Sequence, residues 1–511
     1  MAAAGRAPKG GTYTLHLLPL PVLGAGIAVL ALILVAAGLW LVLHRPFVGL
    51  GVLVAGMALH NFLIMGLLAL HTPPLLIRVV QGWKEVVLAL LTVLAARILV
   101  RAYQNGERPR LLPMDWIAMA FAAMLVIYLL LPSRILGDAS LLQRLAAFRT
   151  AGLLPLLYFL GRVFSQPCDR DLTATSWLIV GAGALVGVFG LYELWFVPTI
   201  TWLDWGVNLF SAWLGYDYKG PAGMPANFFQ TLPDGLLLRR MVSTYVSPLG
   251  IAYTGLLAIP IGVVLMFQRG VSRNKALLAG LALALLLTGV LLSVTRFALA
   301  SLGGEVVLLG LILRSGRVWI LAAVVIGLIA LTLFGYPYVG PVVDPYLLAS
   351  ISHRPFILGA GDPSLAEHLR ALAADIKVAS HHLLGVGLGG SVRRFVPAGA
   401  ESPAGESAVL GFFGDIGVVG GFLYMALYGL GLYSGWRALR NAASMSLASA
   451  LPLVAFAGGV ALIPITLTSD VWGDFSVTFL FWWAAGYSAA LAGRRSAAAP
   501  DSARAEPGRA A

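Results

Sequence analysis

Residues 248–267 read PLGIAYTGLLAIPIGVVLMF, without one charged side chain. An unbroken apolar run of about 18 or more residues matches a bilayer hydrocarbon core of roughly 30 Å. No water is available there to bond the backbone, so such a run must close its own N–H and C=O groups as a helix. Spans of this kind are read at 22–43, 46–68, 83–100, 114–131, 148–165, 176–196, 248–267, 276–293, 297–313, 318–335, 407–432, 448–467 and 475–493. The sequence therefore predicts an all-α polytopic membrane protein of twelve or thirteen spans. Composition agrees: 59% of the 511 residues are hydrophobic and 11% charged, against about 25% charged in soluble domains. A transmembrane β-barrel would alternate apolar and polar residues in segments of about ten, and that pattern is absent.

The net charge of +12 is not a nucleic-acid signature, because the cations sit in short connectors. They gather at Arg101, Arg108 and Arg110; Arg269, Arg273 and Lys275; Arg314 and Arg317; Arg437 and Arg440; Arg494 and Arg495. Basic clusters at alternate helix ends set orientation. They predict a multi-pass protein of the bacterial inner membrane with a cytoplasmic C-terminus. Thirteen spans would leave the N-terminus outside, against the bias of Arg6 and Lys9. The first apolar run outlasts the h-region of a cleavable signal peptide. Cys168 is the single cysteine, so neither a disulfide framework nor a cysteine zinc site is expected.

The expected organisation is one helical domain over 1–493 and a disordered cytoplasmic tail over 494–511. Two long outer connections, 197–247 and 336–406, would form a periplasmic cap. The first opens with Trp195, Phe196, Trp202, Trp205, Phe210, Trp213, Tyr216 and Tyr218. Aromatic residues of this kind suit an interfacial helix at headgroup level, or a flat wall against sugar rings or a lipid tail. In the second, Asp362-Pro363 is a helix start, and Leu365, Leu369, Leu372 and Ile376 then share one stripe at helical spacing. The expectation is an amphipathic helix on the membrane or over the bundle mouth. A Gly-rich turn with outward-pointing amides should follow at 381–390.

Chemistry is sought where charge stands without a topological reason. Arg239, Arg240 and Arg296 fall on the predicted outer side, where orientation does not call for cations. A guanidinium presents a planar fork of donors suited to phosphate oxygens, so two at one depth could hold a diphosphate; snorkelling or a local ion pair is the structural alternative. Glu406 is a candidate general base, whereas Asp415 suits the start of a helix. Glu305, deep in a span, needs an internal partner or a proton. His381, His382 and Arg354 are candidate substrate contacts in the second loop. His and carboxylate spacing for a metal is absent, and no cofactor is expected.

The stretch 383–389, followed by Leu410, Phe413, Asp415, Gly417 and Gly420, resembles the signature region of the O-antigen ligase and polymerase family. Ser293-Val294-Thr295-Arg296 resembles that family's Ser-Arg helix junction, and Arg240 through Ser247-Pro248-Leu249-Gly250 its arginine and Pro-Leu-Gly element. The likeness runs from about Arg239 to the C-terminus. It implies a membrane glycosyltransferase fold of the C type, acting on glycans carried by undecaprenyl diphosphate at the periplasmic face. Arg240 and Arg296 would hold the diphosphate, and Glu406 would deprotonate the acceptor hydroxyl. Glu406 stands where ligases carry histidine, Ser407 follows in place of asparagine, His382 replaces proline and Asp415 replaces glutamate.

These departures favour polymerisation of O-antigen or exopolysaccharide repeats over ligation to lipid A-core or protein. A transporter or flippase of the same lipids, and a scaffold, are the readings from other classes. The expected partners are the lipid-linked donor, a glycan or lipid acceptor, membrane lipid and a chain-length regulator, with no nucleic acid.

Overall fold

The computed structural model describes residues 37–108, 110–132, 139–215, 220–232, 235–346, 348–351, 363–391, 405–441 and 445–498. Arg354, Tyr216, Tyr218, most of the predicted span 22–43 and residues 499–511 lie outside these.

The long helices run in order α1 (Pro46–Ala69), α2 (Pro74–Gln81), α3 (Trp83–Gln104), α4 (Pro113–Leu130), α5 (Leu141–Val163), α6 (Asp169–Phe196), and the short α7 (Val207–Trp213). They continue as α8 (Pro248–Phe267), α9 (Arg273–Leu292), α10 (Arg296–Leu313), α11 (Gly316–Val339) and α12 (Pro363–His381). The last three are α13 (Ala408–Asn441), α14 (Leu447–Thr468) and α15 (Phe475–Ala498). Among the described residues eleven helices are long and apolar enough to cross a membrane, α2 and α3 counting as one. The chain is a polytopic helical membrane protein.

The count differs from twelve or thirteen for two reasons. The first predicted span lies mostly outside the described residues. The fifth is the 23-residue α5, which carries Arg144, Arg149 and Arg162 and is too polar to count. It is nonetheless packed in the bundle, against α15, α4 and α3. Its inner polar groups find protein partners: Arg162 pairs with Asp115 at 2.8 Å, and Tyr158 donates to the same carboxylate at 2.5 Å. In a medium without water, such pairing is the condition for keeping charge.

Helices α8 and α15 are 89% buried along their apolar stretches, whereas α3 and α11 are 22% buried. The uncharged run 248–267 is thus the middle of the bundle. Helix α8 packs on α9 and α6, and α15 on α5, α13 and α1. At one end, Arg45 meets Asp171 at 3.3 Å and Arg494 donates to the Ser165 carbonyl at 2.6 Å. At the opposite end, here the cap end, lie Lys84, Pro248, Arg296, Ala408 and Phe475, the starts of five helices.

The two long connections, expected as loops forming a cap, carry short strands. Strands β1 (Phe229–Thr231) and β2 (Leu237–Arg239) form a hairpin from the first long connection. Strand β2 also pairs antiparallel with β3 (Val342–Val343) of the second, Leu237 opposite Val343, and β3 pairs with β4 (Ser350–Ile351). The sheet order β1-β2-β3-β4 joins the two connections into one body. Strands of two or three residues are too short to show alternation, which is why they escape a periodicity reading.

The aromatic cluster of the first connection divides. Trp202 is buried against Phe228, ring centroids 5.4 Å apart, and joins Val207, Phe210 and Met224 in the cap core. Trp195 and Phe196 remain exposed.

Candidate functional site

The two arginines adjacent in sequence point to different places. Arg239 lies in a strand, and its side chain turns into the protein. It pairs with Glu193 at 3.0 Å and donates to the Val197 carbonyl at 2.7 Å. The other Glu193 oxygen accepts from the N–H of Val242 at 3.0 Å and Ser243 at 3.3 Å. One carboxylate therefore fixes both the arginine and the loop after it. Burial pulls the Arg239 guanidinium below its ordinary range while Glu193 opposes the fall. Arg239 was expected to bind substrate; its donors are instead engaged by protein, because a buried cation needs a partner.

Arg240 points the opposite way. Its Nε donates to the Ser293 carbonyl at 2.7 Å, Nη1 to the Asn227 carbonyl at 3.0 Å and Nη2 to Thr295 Oγ1 at 2.8 Å. These bonds use three of the five N–H groups of a guanidinium. Burial draws its pKa down to about 10, and the like charge of Arg296 adds to the fall, so it stays a cation at neutral pH. Arg296 is the first residue of α10 and is exposed. Both approaches carry β-branched residues in left-handed backbone, Val246 at φ 54° and Val294 at φ 48°. Such residues persist there only where the surroundings impose them.

Glu406 reaches the same place from the other end of the chain. Ser407 caps α13, its Oγ accepting from the Leu410 N–H at 3.1 Å, as N-cap serines do. The Ser407 N–H donates to Asp375 of α12 at 2.9 Å. A side chain on Gly405 would collide with that carboxylate, so glycine is required for the approach. Asp375 is only 2% exposed. Burial lifts its carboxyl to about 6, against the pull of the Ser407 and Glu406 N–H groups. The face of α12 turned to the protein is thus the Asp375 face, while Leu369 and Ile376 of the predicted apolar stripe are exposed.

Tyr253, one turn into α8, connects these groups. It lies within electrostatic range of Asp474, Arg240 and Glu406, with Ser469 beside it. Arg240 thus lies within electrostatic range of both Arg296 and Tyr253, and Tyr253 within range of Glu406 and Asp474.

Sequence reading did not single out Tyr253, Asp474 or Glu193, nor a second group of charges next to them. Lys84 Nζ and the Arg149 guanidinium stand 5.4 and 5.3 Å from the ring of Phe475, with Glu85 paired to both. Glu193 and Lys84 were legible as ionisable residues at the ends of apolar runs. Asp474, directly before the run 475–493, carries the same signal, and Tyr253 carries none.

The Gly-rich turn has a structural task. Gly385, Gly387 and Gly389 have φ of 77°, 93° and 76°, open to glycine alone without strain. The turn docks in a break of α13 at Ile416 and Gly417. Val386 N–H donates to the Gly414 carbonyl at 2.7 Å, Gly387 to that of Asp415 at 3.0 Å, and Val418 to that of Leu383 at 2.9 Å. The Asp415 carboxylate accepts from Gly389 N–H at 2.9 Å, Ser391 N–H at 2.8 Å and Ser391 Oγ at 2.7 Å. The amides expected to point outward are therefore held inward, and Asp415 serves the turn. His381 and His382 lie exposed at the end of α12, the ring of His381 bonded back to the Lys377 carbonyl at 2.8 Å. Arg354 lies outside the described residues. No group of three or more His, Cys, Asp or Glu suited to a metal occurs among the described residues.

Compared with known proteins, the chain matches no family model and no curated relative.

Proposed function

We propose that this protein transfers a glycan from a polyprenyl-diphosphate carrier, of the undecaprenyl type, to an acceptor hydroxyl at the periplasmic face of the inner membrane. The observation that carries the reading is that Arg240 lies within electrostatic range of Arg296 and of Tyr253, and Tyr253 within range of Glu406. Three bonds anchor the half-buried Arg240 and leave part of its fork for a ligand, and Arg296 adds an exposed cation at the start of a helix, where the backbone dipole also favours anions. Glycosyl transfer from such a donor breaks the bond between the anomeric carbon and a diphosphate oxygen. Fixed positive charge stabilises the departing diphosphate. Glu406 takes the proton of the acceptor hydroxyl as its oxygen bonds to the anomeric carbon.

Polymerisation of O-antigen or exopolysaccharide repeats is preferred over ligation to a lipid core, since a carboxylate stands where ligases carry histidine.

The test is purified protein in lipid nanodiscs supplied with undecaprenyl-diphosphate-linked oligosaccharide. Lengthened glycan with release of undecaprenyl diphosphate is the expected result. Movement of the labelled lipid across a bilayer with no new glycosidic bond would instead make the protein a transporter.

A further inference from the structure

Three oxygens in the middle of the bundle share one situation. Glu305 lies on α10, 1% exposed, and both its carboxyl oxygens lack a hydrogen-bond partner. Ser301, one turn earlier on the same face, is 6% exposed, and its Oγ is likewise unpartnered. Glu305 faces the π-helical turn Val454–Gly458 of α14. A β-carbon built on Gly458 would lie 3.7 Å from Glu305 Oε1 and 2.8 Å from Leu257 of α8, so glycine there brings the bulge close to the carboxyl.

Each part is costly alone. An uncompensated carboxylate in hydrocarbon is destabilising and marks function by default. A turn bonded i to i+5 leaves a backbone carbonyl without its usual donor, and such bulges concentrate at functional sites. Buried polar atoms left unsatisfied in a folded protein call for an ion, a water or a proton. Together they make an all-oxygen set with at most one negative charge. That composition excludes anions and soft metals, which need basic groups or sulfur and imidazole. Helix irregularities at membrane depth place carbonyls where sodium or protons bind in transport proteins.

We propose that Ser301, Glu305 and the bulge of α14 form an intramembrane binding site for a hard monovalent cation, sodium or a proton. The site lies on α10, whose first residue is Arg296, so an occupant can bias the position of that arginine. The proposal is independent of the glycan-transfer reading.

The test uses the full chain in nanodiscs with dicyclohexylcarbodiimide, which enters lipid and reacts with carboxyl groups carrying a proton. The acid O–H adds across the carbodiimide, and the product rearranges to a stable N-acylurea, read on the Glu305 peptide by mass spectrometry. The adduct is expected in wild type and is lost in Glu305→Gln. Labelling slowed by sodium chloride but not by choline chloride identifies sodium as the occupant. Labelling that falls with rising pH and ignores sodium identifies a proton site. Absence of a Glu305 adduct in folded protein at every pH, with labelling after denaturation, overturns the proposal. For the sodium case, sodium must also raise the melting temperature of wild type and not of Glu305→Gln; an equal rise in both assigns the ion to another place.

Discussion

Arg240 donates to Thr295 Oγ1 at 2.8 Å, and Thr295 is the residue before Arg296. The bond ties the loop entering α8 to the loop entering α10 and sets two cations at one end of the bundle. Like charges held together cost free energy unless an anion is shared between them. The diphosphate of the proposed donor is the anion that would be shared there.

Arg239 and Glu193 make a contrasting prediction. Arg239→Met leaves the Glu193 carboxylate buried and unpaired, and a loss of about 3–5 kcal/mol is expected. Adding Glu193→Leu recovers only part, because Val242 and Ser243 N–H lose their acceptor. Thermal unfolding in detergent reads the series. A single variant that melts with wild type would show that the pair does not hold the cap.

The turn at 383–391 should be sensitive at its glycines. A β-carbon on Gly385 would meet the Gly417 nitrogen at 2.6 Å, in backbone of positive φ. Gly385→Ala should cost about 1–3 kcal/mol from backbone strain alone. Asp415→Asn forfeits charge-assisted bonds worth about 1.5–3 kcal/mol each. Faster proteolysis within 383–391 is the expected sign in both, and unchanged protection would remove the structural role given to Asp415.

Much of the fold was legible because apolar length is a strong signal. The spans from 248–267 onward were read nearly as they stand, and Pro363–His381 is helical as expected, its predicted cap Asp362 lying outside the described residues. The cap sheet was not legible: its pairing of Leu237 with Val343 joins segments over a hundred residues apart and leaves no local pattern. Arg239 and Arg240 show the same limit at the site. Their neighbourhoods in sequence are alike, and only the strand register decides which of them turns inward. The orientation of α12 was not legible for a related reason. Periodicity shows that Leu369 and Ile376 share a face, whereas the bond from Ser407 to Asp375 determines which face meets the protein.

Asp375 gives a pH dependence with a definite sign. Its carboxyl titrates near 3.8 unfolded and near 6 in the fold, so the folded state binds the extra proton between those values. Stability contributed by that proton is present below about 3.8 and is lost as pH rises through about 6. Asp375→Asn should flatten this part of the curve of melting temperature against pH. A wild-type curve that rises across the window with the same slope as the variant would contradict it.

Glu406→Gln should separate chemistry from binding. Losing a general base costs about 10²–10⁴ in rate, while affinity for the lipid-linked donor should stay near the wild-type value. Equal losses of rate and affinity would make Glu406 a binding residue.

The most direct measurement is binding of undecaprenyl diphosphate, the donor without its sugar, by native mass spectrometry of the full chain. Wild type should retain the lipid, Arg240→Ala and Arg296→Ala should each release most of it, and undecaprenol lacking phosphates should bind poorly to all three. Undiminished retention by both arginine variants, in protein that melts as wild type does, would contradict the account.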